Sequence, residues 1–146
     1  MKIETRDELA AIWLPWYVWA DGSGVVEALA AEIEDARAVT LGEVALDPQH
    51  PVMRHVHPDS QFGPWTHAGR VEHYVEQLRT DAAIDLKAPA WETTEGMVLL
   101  DGCHRACATY IVDPAGWSIE LVPEALNTGL PDAAPHLRRT AHRFGS

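Results

Sequence analysis

The run Asp101-Gly102-Cys103-His104-Arg105 sets a carboxylate, a turn glycine, a thiol, an imidazole and a guanidinium side by side. These are the groups that phosphate chemistry uses. Arg105 offers a planar fork of donors to phosphate oxygens, and His104 offers a donor or proton carrier near neutral pH. Ahead of them, Met97 to Leu100 is an apolar run too short for a helix and reads as a buried strand. Gly102 permits a tight turn, and Cys103 to Ile111 reads as the opening turns of a helix. Free N–H groups at such a helix start attract anions, the dipole adding about 0.3–1 kcal/mol. Cys103 has two readings here, a nucleophile with a lowered pKa or a small residue packed beneath phosphates. Asp101 has three: a general base, a Mg2+ ligand through water, or a cap on the helix.

The elements that must position this motif are legible on both sides of it. Ala38 to Leu46 reads as a strand leading into a Glu43-Val44 step. Ala68 to Arg79 reads as a helix, with Val71, Tyr74, Val75 and Leu78 on one face. Ala88 to Glu92, a turn over Thr93 to Gly96, and Met97 to Leu100 form a hairpin. Beyond the motif helix, Asp113-Pro114-Ala115-Gly116 is a break, and Trp117 to Val122 alternates like a strand.

With these flanks, Gly102-Cys103-His104-Arg105 resembles the ParB/sulfiredoxin superfamily, whose members share a strand, a Gly-x-His-Arg turn and a helix that receives nucleotide phosphates. Cys103 resembles the catalytic cysteine of the sulfiredoxin branch, and Asp101 resembles the Asp-Gly-x-His-Arg of free-serine kinases and ParB-type domains. The resemblance implies an α+β fold, a small mixed sheet flanked by helices, with an added N-terminal helical segment. It also implies ATP or ADP as cofactor, with Mg2+ arriving on the nucleotide. In sulfiredoxin a Lys, a Ser and a Thr on the preceding helix help hold that nucleotide. Arg70, His73 and Gln77 stand at the corresponding places and form one stripe beside the apolar face. An ordinary solvated face is the other reading of that stripe.

In the serine kinases a carboxylate just before this helix acts as base on the acceptor hydroxyl. The nearest candidates are Asp59 and, further back, Glu43. Asp59 lies in a loop that also holds His50, His55, His57 and His67. His55-x-His57 with Asp59 has ligand types for a metal, but no third or fourth ligand has a diagnostic spacing, so a solvent-facing loop is favoured and no metal site is expected.

The chain has 146 residues, 47% of them hydrophobic, enough for one buried core, with no apolar run long enough to span a bilayer. Eleven Lys and Arg against 22 Asp and Glu give a net charge of −11, which repels a DNA backbone and disfavours DNA as a partner. A small anionic nucleotide is still compatible, because Arg70, Arg105 and a helix start act locally. Cys103 and Cys107, four apart on one helix face, are poor disulfide partners, and a reduced cytoplasmic protein is expected. The first forty residues are the least family-like. Leu9 to Ala20 clusters Trp13, Trp16, Tyr17 and Trp19 around Pro15, as core packing or a lid. Ser23 reads as the N-cap of an amphipathic helix carrying Val25, Val26, Leu29, Ile33 and Ala36. The expected organisation is an N-terminal helical and aromatic extension over 1–37, a ParB/sulfiredoxin-like domain over 38–126 and a basic tail over 127–146.

These residues point first to a nucleotide-dependent phosphotransferase, kinase-like, acting on a small hydroxyl or amino-acid-like metabolite, with Asp101, His104 and Arg105 at the phosphates. Two alternatives stand beside it. One is sulfiredoxin-like ATP-dependent cysteine chemistry through Cys103, the other a ParB-type nucleotide or DNA-binding regulator without catalysis. The expected partner is a small-molecule substrate; no membrane partner is expected, and a homodimer is left open.

Overall fold

The computed structural model describes residues 1–26, 36–58, 61, 63–80, 85–93 and 96–124. Its main element is a six-stranded mixed sheet, in the order β1-β8-β6-β7-β2-β3. In chain order these strands are β1 (Lys2–Ile3), β2 (Trp13–Trp19), β3 (Ala36–Thr40), β6 (Asp85–Thr93), β7 (Gly96–Leu99) and β8 (Ser118–Glu124). A separate two-stranded ribbon joins β4 (Val56–His57) to β5 (Trp65–Thr66). The helices are α1 (Arg6–Ala10), α2 (Leu41–Val44), α3 (Pro51–Arg54), α4 (His67–Thr80) and α5 (Cys103–Val112). Sheet and helices share one apolar core, in which Leu9, Leu14, Val39, Leu41, Val44, Leu99, Ala106, Cys107, Ile119 and Leu121 are fully enclosed.

The centre of the sheet follows the local sequence. β6 and β7 pair antiparallel as a hairpin, Ala90 opposite Leu99 and Trp91 opposite Val98. After β7 the chain turns at Gly102 (φ 79°), runs through α5, and returns as β8 parallel to β6. Asp113, at φ 49°, ends α5, and its carboxylate accepts the Trp117 indole N–H at 3.0 Å. Thr40 caps α2 and Thr66 caps α4, each hydroxyl accepting an N–H from the first turn, which is why the helices begin where they do. Val71, Val75 and Leu78 bury the inner face of α4. α1 carries a capping box between Thr5 and Glu8, and Arg6 ties it to α5 by donating twice to the Tyr110 carbonyl, at 3.0 and 3.1 Å.

The N-terminal region departs from expectation. Trp13 to Trp19 is a strand of the main sheet, lying between β3 and β7, so the described part of the extension expected to be helical over 1–37 holds the short α1 and strands. Leu14, Trp16 and Val18 point to one face by strand alternation, and Leu14 and Val18 are fully buried. The pairing with β3 skips between Leu14 and Tyr17, so Pro15 and Trp16 form a bulge, a position where a proline without an N–H breaks no ladder. Val25 bridges Val18, and Val26 N–H donates to the Tyr17 carbonyl at 3.0 Å, so the chain runs back along β2 where the Ser23-capped helix was expected to start. Ala36 opens β3. Leu29 and Ile33, Asp59, and the basic tail over 127–146 lie outside the described residues. Among the described residues no helix is long and apolar enough to cross a membrane.

Candidate functional site

Two helix N-termini converge at the site. His67 is the first residue of α4, His104 lies in the first turn of α5, and the His67 Nδ1 meets the His104 Nε2 at 2.8 Å. Their rings stack at 5.1 Å and 26°. Trp16 from the β2 bulge closes one side, its ring 4.0 Å from that of His67 and 5.5 Å from that of His104. The ribbon closes another, because Cα pairing of His57 with Trp65 stacks their rings at 4.0 Å and sets His57 4.8 Å from His67. Arg70, one turn along α4, lies 3.6 Å over the Trp65 ring.

Both imidazoles are held uncharged. Burial depresses the pKa of His67 to about 3, helped by His104, His57, Arg70 and His55. Burial likewise brings His104 down to about 4, with Arg70 and His57 adding repulsion. Positive helix ends and arginines oppose a further cation and favour an anion.

Two adjoining cavities open here. The larger, about 880 Å³, is walled by Val56, Pro64, Trp65, Thr66, Gly69, Arg70, His73, Tyr74 and His104. The smaller, about 340 Å³, lies over the Gly102 turn among Arg70, Tyr74, Lys87, Asp101, His104 and Arg105, with Leu86, Ala88 and Pro89 at its back. Arg70, Tyr74 and His104 line both. The guanidinium of Arg105 lies 5.3 Å from the Tyr74 ring centre. Gly102 caps α5 in the left-handed conformation with no side-chain cap, so the first-turn N–H groups are left for a ligand. Asp101 accepts the Gly102 N–H at 2.8 Å and steadies that turn.

The expected residues separate into those the structure gathers and those it does not. Asp101, Gly102, His104, Arg105 and Arg70 meet at the smaller cavity, and His73 joins the larger. Gln77 is exposed and contacts His73 at 3.2 Å, away from both cavity walls. Cys103 requires a correction: its side chain turns into the core, its thiol points at the Leu99 carbonyl at 3.8 Å, and burial together with Asp101 pushes its pKa up to about 12. A thiolate nucleophile is disfavoured there, because burial outweighs the helix start. Cys107 is completely buried and its pKa is raised too; both thiols are free.

Glu43 is likewise committed elsewhere. It accepts from Arg37 at 2.9 and 3.0 Å and meets the His50 Nε2 at 2.9 Å. Burial alone would raise its pKa, but the Arg37 and His50 contacts together lower it, which suits a structural anion rather than a base. His55 and His57 sit edge to face at 4.9 Å, and among the described residues no group of three His, Cys, Asp or Glu side chains is arranged to hold a metal ion. Sequence reading missed His67 as a partner of His104 and Lys87 as a wall, while Trp16 belongs to the aromatic cluster read as core packing or a lid. The available signal for His67 was its place just after Thr66, a good N-cap, which makes it the first residue of a helix. No family model matches the chain, and neither a curated protein nor a solved structure matches it.

Proposed function

We propose that this chain binds a nucleotide, ATP or ADP, and transfers a phosphoryl group from it to a small hydroxyl or amino-acid-like acceptor. One observation carries the reading: a cavity over a glycine turn and a free helix start is lined by Arg70, Lys87 and Arg105, and it shares the Arg70, Tyr74 and His104 wall with a larger cavity that Trp65 also lines. A polyphosphate needs the first, a flat base or a small acceptor the second. A chain of net charge −11 that gathers three cations at one helix start supports a specific anion there. Arg105 and Arg70 would take phosphate oxygens with the N–H groups of Cys103 and His104, and Lys87 would add a point charge. Mg2+, which suits carboxylate, water and phosphate oxygens, would come with the nucleotide and meet Asp101 through water. Positioning and charge neutralisation then supply the catalysis that phosphoryl transfer asks of a protein. A likeness to the ParB/sulfiredoxin superfamily fits this reading, and the buried Cys103 takes support from its cysteine-dependent branch.

Calorimetry with ADP and Mg2+ on wild type and Arg105→Ala tests it. Loss of a charged hydrogen bond to phosphate costs about 1.5–3 kcal/mol, so affinity should fall about 10- to 100-fold. Equal, weak binding by the two proteins would refute the nucleotide site. Measurable affinity for duplex DNA at moderate salt would favour a regulator instead.

A further inference from the structure

Resting on the phosphotransferase reading, we infer that His67 is a positioning residue that locks His104 as a single tautomer, so that a bare ring nitrogen of His104 accepts a hydrogen bond from the acceptor hydroxyl and orients it. The geometry has three parts. The His67 Nδ1 and His104 Nε2 lie 2.8 Å apart, so one proton is shared between them and one ring nitrogen of each is committed. His67 cannot swing away: it is 8% exposed, stacks on Trp16 at 4.0 Å, and has His57 against its other side. His104 lines both cavities and so stands where a phosphate in one would meet an acceptor in the other.

The surroundings select the tautomer. Arg70 from α4 and His57 from β4 act on His104 directly, and Lys87 from β6, Arg105 on the same helix and the Asp101 carboxylate line the smaller cavity beside it. Positive groups and free helix N–H groups favour a lone pair, not another N–H, turned toward them. His104 therefore donates from Nε2 to the Nδ1 of His67 and keeps Nδ1 as a bare acceptor nitrogen. In the reaction, the acceptor oxygen bonds to the terminal phosphorus while the bond to the bridging oxygen breaks, its electron pair leaving on the shortened nucleotide. The hydroxyl proton leaves on an oxygen of the transferred phosphoryl group and is lost to water on product release, so both imidazoles stay neutral throughout.

Long-range 1H–15N NMR of the imidazoles in the full chain at pH 7 tests this without any substrate. Wild-type His104 should show the Nε2–H form alone. His67→Asn, which keeps a hydrogen-bonding atom near the place of Nδ1, should retain it, and His67→Phe, which keeps only the stacking, should show a mixture of tautomers. A wild-type Nδ1–H form, or an unchanged Nε2–H form in His67→Phe, overturns the inference. ADP binding by His67→Phe should stay within about twofold of wild type, since His67 lines neither cavity. A tenfold loss in that variant overturns the positioning role. Failure of wild type to bind ADP strikes the nucleotide reading alone, because the tautomer is read without ligand.

Discussion

Acid should weaken this fold through the His67–His104 pair, and the effect has a calculable size. In the unfolded chain both imidazoles titrate near pH 6.5, whereas folding lowers them to about 3 and about 4. The unfolded state therefore binds more protons at any pH between 6.5 and the folded values. The pair costs the fold nothing well above pH 6.5, and stability falls as pH descends through that value toward 4 and below. Between pH 7 and pH 5 one such histidine, fully withdrawn from water, loses about 2 kcal/mol. His67 is buried and carries that loss in full, whereas His104 is only half-buried and solvent screens part of its repulsion, so about 3 kcal/mol is expected for the two together. In a domain of this size that lowers the melting temperature by about 6–12 °C. Urea unfolding followed by tryptophan fluorescence at pH 7, 6 and 5 measures it, with His67→Phe as the control that removes one of the two groups. Wild type should lose about three times what the variant loses. A wild-type stability flat within about 0.5 kcal/mol, or the same slope in the variant, would refute the claim that these rings are held neutral.

Two further outcomes follow from the motif turn and the core. Gly102→Ala places a Cβ at φ 79° and 3.3 Å from Leu86, so it should destabilise by about 1–2 kcal/mol in chemical denaturation and weaken ADP binding; an unchanged midpoint would contradict the left-handed turn. Neither Cys103 nor Cys107 should react with a thiol reagent at pH 8 until the chain unfolds, and rapid labelling of one thiol in the native protein would restore Cys103 as a reactive group.

Where neighbours in sequence are neighbours in the fold, the sequence was readable. The hairpin before the motif, the α5 helix, its Asp113 stop and the β8 return all follow from apolar runs broken by glycine or proline. The α4 helix starts one residue before its expected start, at the Thr66 cap. β2 was hidden because Trp, Tyr and Pro crowd its alternation: Leu14, Trp16 and Val18 share a face, but the aromatic Trp13, Tyr17 and Trp19 occupy the other and blur the period. The phosphate end of the site was legible because glycine turn, histidine and arginine are consecutive. Its histidine pair was not, since the two rings belong to different helices and no periodicity links them. At Cys103 a local rule was overruled by burial, a property of the whole core.

The bulge at Pro15 and Trp16 ties the site to the order in which the sheet can close. β2 reaches its place by pairing parallel with β7, Trp13 beside Val98, a contact between distant parts of the chain. The two histidine-bearing helices are much closer in sequence and pack directly on one another. Loop-closure entropy disfavours the more distant pairing until other contacts support it. The Trp16 wall is thus tied to a strand pairing more distant in sequence than the helix contact, and a chain that has joined α4 to α5 but not β2 to β7 would hold both histidines beside water.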